Sequence, residues 1–250
     1  MTDREYITFP IFDQFKELTC AFSTRLGGYS RDSFASLNMG NLKLDDPDLV
    51  YQNRRLFYTK LGIKESSVAL PDQIHSDNIE CIHTPGIFKE TDALITSHAG
   101  LFLGVQTADC FPVFIYTPKI HTVVIIHAGW RGVVQDIVPK TVNIILSKAG
   151  SDPSDLFISI GPGLQKECFE VRSDVFSLFP ENVLSVHPDP EKKYLDLSTY
   201  LVQQFLSFNI PTEQIFRMKD CTKCNQRQYY SYRRDGEKSG RMMGIIGIHP

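Results

Sequence analysis

The chain reads as a mixed α and β fold in a single domain, on three observations. Short apolar runs rich in β-branched residues, such as Val113-Phe114-Ile115-Tyr116 and Thr122-Val123-Val124-Ile125-Ile126, suit strands buried on both faces. Stretches whose apolar residues recur with a helical period alternate with them. No low-complexity linker and no repeat of solenoid length interrupts the 250 residues, so these elements are expected to share one core.

Residues 6–23 read as short strands around a turn, followed by the turn signal Gly27-Gly28. Leu49, Val50, Asn53, Leu56, Phe57 and Leu61 predict a helix over 47–61, with Asp46 as cap, Pro47 in the first helical position and Asp48 in the first turn. Residues 68–70 and 79–82 are strands on either side of His75, and 93–96 and 101–105 are two more. Residues 113–116 and 122–126 are the buried strands already named. The amphipathic stretch 135–148 predicts a helix whose regular part begins near Pro139. Residues 157–160 form a strand ending at Gly161-Pro162-Gly163. Helices are expected over 171–179 and 197–208, the second capped by Asp196 or Ser198. Pro188-Asp189-Pro190 is a surface loop between these two helices. Residues 215–218 and 242–248 are closing strands.

Composition narrows the function. There are 26 basic and 29 acidic residues and a net charge of −3, so no basic surplus points to nucleic acid or an anionic membrane surface. No apolar run approaches the ~20 residues of a spanning helix. Met1-Thr2-Asp3-Arg4-Glu5 lacks the apolar segment of a signal peptide, and the six scattered cysteines do not form a secreted disulfide framework. The expectation is a cytoplasmic protein with reduced thiols.

The residues that could carry chemistry begin with Cys110 in Thr107-Ala108-Asp109-Cys110-Phe111-Pro112 and His127 in His127-Ala128-Gly129-Trp130-Arg131-Gly132. Each sits at the edge of a buried run. His75, in Gln73-Ile74-His75-Ser76-Asp77, is the third candidate. Two imidazoles and a thiolate suit zinc or copper rather than magnesium or calcium, and three protein ligands leave a position open as catalytic zinc requires. Each residue alone has a plainer reading: a buried Cys packs as a small hydrophobe, and a His beside a strand caps a carbonyl. Asp109 marks a special backbone position beside the thiol, and with Cys110 and His127 it also permits a cysteine hydrolase. Cys221-Thr222-Lys223-Cys224 is a rival metal motif, but a lone CxxC lacks a second ligand pair and reads better as unmetallated. Arg25 beside Gly27-Gly28, Arg131 beside Gly132, and Arg241 in Ser239-Gly240-Arg241-Met242 place guanidinium groups at glycine turns, suited to phosphate or carboxylate. Solvated basic loops are the ordinary alternative. Neither GxGxxG nor GxxxxGK[ST] occurs.

His75, Thr107-Ala108-Asp109-Cys110, His127-Ala128-Gly129-Trp130-Arg131-Gly132 and Ser231-Tyr232-Arg233-Arg234-Asp235 with Ser239-Gly240-Arg241 together resemble the YfiH/laccase-domain family. Phe22-Ser23-Thr24-Arg25-Leu26-Gly27-Gly28-Tyr29-Ser30 and Ser36-Leu37-Asn38-Met39-Gly40 resemble its N-terminal motifs. The family has been called multicopper polyphenol oxidase and later purine nucleoside phosphorylase. The resemblance implies a compact α+β fold layered helix, sheet, sheet, helix, with metal ligands His75, Cys110 and His127. It implies phosphorolysis of adenosine, inosine, guanosine and methylthioadenosine by inorganic phosphate, and deamination of adenosine. Cys224 and Ser239 depart from its usual pattern.

Four functional expectations follow. In phosphorolysis, Arg25 and Arg241 hold phosphate, with Arg131 near, and Asn38 bonds the sugar or phosphate. In deamination, zinc on His75, Cys110 and His127 activates water, and Asp109 shuttles protons. Copper-dependent phenol oxidation is weakened by the seven dispersed histidines. A non-enzymatic module with structural metal would need a fourth ligand, for which Cys81, His83 or His98 are candidates.

Overall fold

Alternation along the strands decides the layers. The computed structural model describes residues 4–40 and 44–250; Met1, Thr2 and Asp3, part of the stretch read for a signal peptide, lie outside the described residues, as do 41–43. In chain order the strands are β1 (Tyr6–Thr8), β2 (Leu18–Ser23), β3 (Val68–Pro71), β4 (Ile79–Cys81), β5 (Gly86–Phe88), β6 (Ala93–Thr96), β7 (Phe102–Thr107), β8 (Phe111–Thr117), β9 (Thr122–Ala128), β10 (Phe157–Ile160), β11 (Glu170–Arg172), β12 (Leu184–Val186), β13 (Lys192–Leu195), β14 (Ile215–Arg217) and β15 (Met242–Ile248). The helices are α1 (Pro47–Lys60), α2 (Trp130–Val134), α3 (Ile137–Leu146), α4 (Ser173–Phe176), α5 (Leu197–Leu206) and α6 (Tyr232–Asp235).

Two six-stranded sheets result, ordered β1-β2-β15-β7-β3-β5 and β14-β10-β8-β9-β6-β4, with a small sheet β11-β13-β12 beside them. In β8, Phe114 and Tyr116 join Phe22, Leu103, Met242 and Ile246 in the core between the large sheets. The intervening Phe111, Val113 and Ile115 face the other way, into a core shared with α2, α3 and α5. On the far side, Ala21, Met243 and Ile245 pack against Phe57 and Tyr58 of α1. A period of two in the strands thus produces four layers, helix, sheet, sheet, helix, in agreement with the α+β expectation.

Local signals explain most boundaries. The Asp46 carboxylate accepts from the Asp48 N–H and Pro47 opens α1, as expected. Asp196 caps α5 by accepting from the Thr199 N–H. The stretch 135–148 contributes α3, with Pro139 in its first turn, where no intrahelical N–H partner is needed. The separate helix α2 precedes it.

Two expectations are corrected. The helix expected over 171–179 is instead strand β11 followed by the single turn α4. Phe169 and Val171 are buried while Glu170 and Arg172 are not, which is a period of two, and β11 pairs with β13. Pro188-Asp189-Pro190 therefore joins β12 to β13 rather than two helices. No helix among the described residues is long and apolar enough to cross a membrane.

Phe114 ties the two sheets together: it is fully buried and stacks 5.0 Å from Phe9, and its ring fills the space above Gly244 of the opposing sheet. Phe114→Ala is expected to cost about 3–5 kcal/mol, lowering the midpoint of thermal unfolding by at least about 6 °C. Calorimetry checks this, and a change under ~1 kcal/mol would show that the sheets reclose over the cavity.

Candidate active site

Sheet register brings the first candidates together. β8 and β9 are antiparallel with Phe111 opposite Ala128, so Cys110, just before β8, lies beside Gly129, just after β9. β6 pairs with β9 with Ala93 opposite Ile126, which puts Asp92 next to His127. In the other sheet Met242 pairs with Thr107, so Arg241 comes to the same end as Ala108 and Asp109. His75 arrives on the loop between β3 and β4.

The ligand atoms of His75, Cys110 and His127 lie within 4.8 Å of one another. Cys110 Sγ is 3.8 Å from His75 Nε2, close to the ~3.6 Å edge of a tetrahedron with Zn–S near 2.3 Å and Zn–N near 2.0 Å. The two imidazole rings meet edge to face with centroids 4.7 Å apart. These donors fit a soft or borderline metal ion.

Asp92, which sequence reasoning missed, builds this arrangement. Its buried carboxylate accepts hydrogen bonds from the backbone N–H groups of Ile74, His75 and Ser76 and from the Ser76 hydroxyl. It also meets His127 Nδ1 at 2.7 Å, while its carbonyl accepts the His127 N–H. His75 has a φ of 62°, a left-handed conformation uncommon outside glycine, which these three N–H bonds hold in place. Gln73 adds a second clamp by exchanging two hydrogen bonds with the Gln106 backbone. The only trace of Asp92 in the sequence is an acid at the mouth of the buried run Ala93-Leu94-Ile95.

The glycines of the His-Ala-Gly-Trp-Arg-Gly segment make room. A Cβ on Gly129 would lie 2.9 Å from His75 Cδ2 and 3.2 Å from Cys110 Sγ. One on Gly132 would lie 2.4 Å from the Ser76 carbonyl oxygen. The strand-to-helix turn from β9 into α2 can approach the His75 loop only without side chains at these positions.

Electrostatics follow from the contacts. Burial opposes ionisation of Cys110, but the charge of His127 and hydrogen bonds with both histidines outweigh it and bring the thiol down to about 6. Burial likewise opposes the charge on His127, but the Cys110 sulfur and the Asp92 carboxylate raise it to about 9. Asp92 is held at about 2: burial alone would raise it, and its bonds to His127 and Ser76 prevail.

The cluster opens into a cavity of about 760 Å³, within the ordinary range for small-molecule sites. Asp109, Arg131 and Arg241 line it, as do Arg233 of the Ser231-Tyr232-Arg233-Arg234-Asp235 motif and Arg54, which the sequence reading did not single out. Arg54 is nine-tenths buried in α1 and donates to the Met39 carbonyl. Arg131 lies 4.6 Å over the Trp130 ring, and its guanidinium makes no hydrogen bond to the described residues. Burial disfavours the charge on Arg241, which the thiolate of Cys110 and the carboxylate of Asp109 support. Asp109, at φ 95°, has its carboxylate aimed by the Thr222 hydroxyl and the Arg233 N–H, each at 2.6 Å.

Arg25 and Asn38 do not line the cavity. The Arg25 guanidinium donates to the carbonyls of Ala35 and Gln226 and lies 4.5 Å over Tyr230. Asn38 is fully buried, and its Oδ1 accepts from the N–H groups of Gly40 and Arg241. Both therefore brace the loops behind the cavity, and Asn38 fixes the backbone that presents Arg241.

A thiol–imidazole cluster with a metal-type donor set and four arginines lines one cavity at an end of the two packed sheets, and this is the candidate active site. Residues 19–249 match the family described as multi-copper polyphenol oxidoreductase laccase, and the chain belongs to that family. It is 32% identical to the purine nucleoside phosphorylase YlmD of Bacillus subtilis, across 93% of this chain and 89% of the relative. It is 27% identical to adenosine deaminase RL5 from an unknown prokaryotic organism, across 88% and 90%. The crystal structure of YlmD from Geobacillus stearothermophilus superposes with a TM-score of 0.93 at 28% identity, covering 100% of this chain and 98% of that one.

Replacing Asp92 by Asn removes a charged acceptor from a fully used set. Bonds to charged groups contribute about 1.5–3 kcal/mol each, so Asp92→Asn is expected to destabilise by at least about 2 kcal/mol. Loss of the His127 orientation should also weaken metal binding by about 10–100-fold. Thermal unfolding together with zinc titration against a chelator checks both, and an unchanged zinc affinity would remove Asp92 from the support of the cluster.

Proposed function

We propose that this chain is a purine nucleoside phosphorylase that also deaminates adenosine in the same cavity. The observation that carries the reading is the presence, in one cavity, of the His75–Cys110–His127 cluster and the guanidinium groups of Arg54, Arg131, Arg233 and Arg241. The name borne by the Bacillus subtilis relative supports phosphorolysis, and that of the RL5 relative supports deamination.

Inorganic phosphate binds to Arg241 and Arg131. Arg131 brings a guanidinium that makes no hydrogen bond to the described residues, and Arg241 is anchored by the carbonyls of Ser239 and Gly240 that its Nη1 engages. Phosphate oxygen attacks the ribose anomeric carbon as the glycosidic bond to the purine breaks; the purine leaves with the bonding pair and takes up a proton, and the fixed cations hold the phosphate in line with the anomeric carbon. Arg54 and Arg233 add positive potential that keeps phosphate in place. Arg241 keeps the anion role expected of it, and the role expected of Arg25 passes to Arg131.

His75, Cys110 and His127 would hold zinc, which supplies Lewis acidity and activates water at neutral pH when bound. His127 is presented through Nε2 because Nδ1 is committed to Asp92. In deamination Asp109, aimed by Thr222 and Arg233, carries a proton to the departing exocyclic amine. Copper oxidation of phenols is less well served: reducing oxygen to water draws on several copper ions, and two histidines line the cavity.

Zinc-loaded protein is expected to convert adenosine or inosine to free base and ribose 1-phosphate only when phosphate is present, and to release ammonia from adenosine without it. Product chromatography reads both, and no ribose 1-phosphate from any purine nucleoside would overturn the phosphorylase reading. Arg241→Ala should lower kcat/KM for phosphate by about 10²-fold, and Cys110→Ala should abolish ammonia release.

Zinc affinity should depend on pH in a defined way. Between about 6 and about 9 the metal-free Cys110–His127 pair holds one proton, which the ion displaces, and below about 6 it holds two. Apparent affinity should therefore rise about tenfold per pH unit inside that window and more steeply below it. An affinity flat from pH 6.5 to 8.5, two values chosen inside roughly that window, would show that this pair is not what the ion binds.

A further inference from the structure

A second group of thiols stands behind the cavity wall. Cys168, Cys221 and Cys224 have Sγ atoms within 4.8 Å of one another, and Cys168 and Cys224 are 3.3 Å apart without a disulfide. They come from segments far apart in sequence: Cys168 ends the short turn Lys166–Cys168, and Cys221 and Cys224 span a tight turn. Backbone bonds join the two segments, with Gly163 bridged to Cys221 and the Thr222 N–H donating to the Gly163 carbonyl. The lone CxxC of the sequence thus acquires a third thiol, one of the two further ligands it lacked.

We propose that Cys168, Cys221 and Cys224 form a second metal site, which takes one zinc ion on three thiolates and braces the wall of the active cavity. Three features carry this. The Cys168–Cys224 separation is within about 0.5 Å of the ~3.8 Å edge of a tetrahedron with Zn–S near 2.3 Å. Thiols are weak hydrogen-bond donors, so three of them in contact gain little from one another, whereas an ion would bind all three as thiolates. The Cys221–Cys224 turn also aims the backbone N–H groups of Cys224, Gln165 and Lys223 at the Cys221 sulfur.

Binding displaces the thiol protons to solvent, and no electron is transferred. Cys168 is buried and Cys224 exposed, so solvent reaches the group and water completes fourfold coordination. The ion would link the two segments that carry Phe169 and Thr222. Phe169 lines the cavity, and Thr222 aims Asp109. The site is separate from the His75–Cys110–His127 cluster and stands whether or not the proposed activity does.

The test is an anaerobic titration of the full-length, reduced and metal-free chain carrying Cys110→Ala with cobalt(II). Cys110→Ala removes the sole thiol of the first cluster, so thiolate-to-cobalt charge-transfer absorption must arise elsewhere. The expected result is one equivalent of cobalt with that absorption, displaced by one equivalent of zinc. It should disappear when Cys168→Ser or Cys224→Ser is added. Cys224 is exposed, so the second variant is expected to keep the far-ultraviolet dichroism of its parent. No charge-transfer band in the Cys110→Ala chain would overturn the proposal. So would a band that survives both serine variants. A freshly purified wild-type chain that is metal-free and short by two hydrogens, restored by reductant, would also overturn it in favour of a disulfide.

Discussion

The bonds made by Asp92 are the constraint on which the site depends. One buried carboxylate organises two segments that are otherwise unrelated in sequence. It holds the backbone of residues 74–76 in the conformation that aims His75, and it holds Nδ1 of His127 so that Nε2 faces the thiol. A neutral side chain could not satisfy all of these donors, because its amide nitrogen would oppose one of them. The carboxylate stays ionised although burial opposes it, since the histidine and the Ser76 groups are worth more than the lost hydration. Cys110 continues the same balance one residue further into the cavity, where its thiolate supports the charges of His127 and Arg241.

The two-sheet architecture supplies what such a cluster needs, which is rigid support. Cys110 and His127 are set beside antiparallel strands whose flanks are fully buried, so their separation is fixed by backbone register rather than by flexible loops. The moving choices are left to the loops on the rim. There α6 and the segment before β15 carry Arg233 and Arg241, and the loops behind them are braced by Arg25 and Asn38. Arginines that serve as struts and arginines that face the cavity occur in the same kind of glycine-rich sequence. What distinguishes them is where the fold turns the guanidinium, onto the Ala35 and Gln226 carbonyls for Arg25 and into the cavity lining for Arg131 and Arg241.

Much of the fold was legible. The strands at 113–116 and 122–126 and the capped α1 stand, because burial on both faces leaves an apolar run and a cap leaves an Asp-Pro-Asp signature, and the four layers implied by the family resemblance stand with them. The stretch 171–179 misled because Val171, Val175 and Phe179 also fit a helical spacing, and only pairing with β13 selects the strand. In the site, His75, Cys110 and His127 were legible as residue types suited to metal, and Arg131 and Arg241, though not Arg25, are loop arginines that the fold brings to the cavity. Asp92, Arg54 and the partnership of Cys168 with the CxxC were not, since none has a local signal that separates it from ordinary surface acids, helix cations or core cysteines.

The sequence by itself determined the periodicities, hence the strands, the main helices and the mixed α and β class, and it supplied the donor chemistry, two imidazoles and a thiol beside glycines. Only the tertiary structure decided which donors meet and which arginines face the cavity. Periodicity is a property of neighbours a few residues apart, whereas His75, Asp92, Cys110 and His127 are joined by strand register and by one buried carboxylate, whose bonds exist only once two sheets have closed around them.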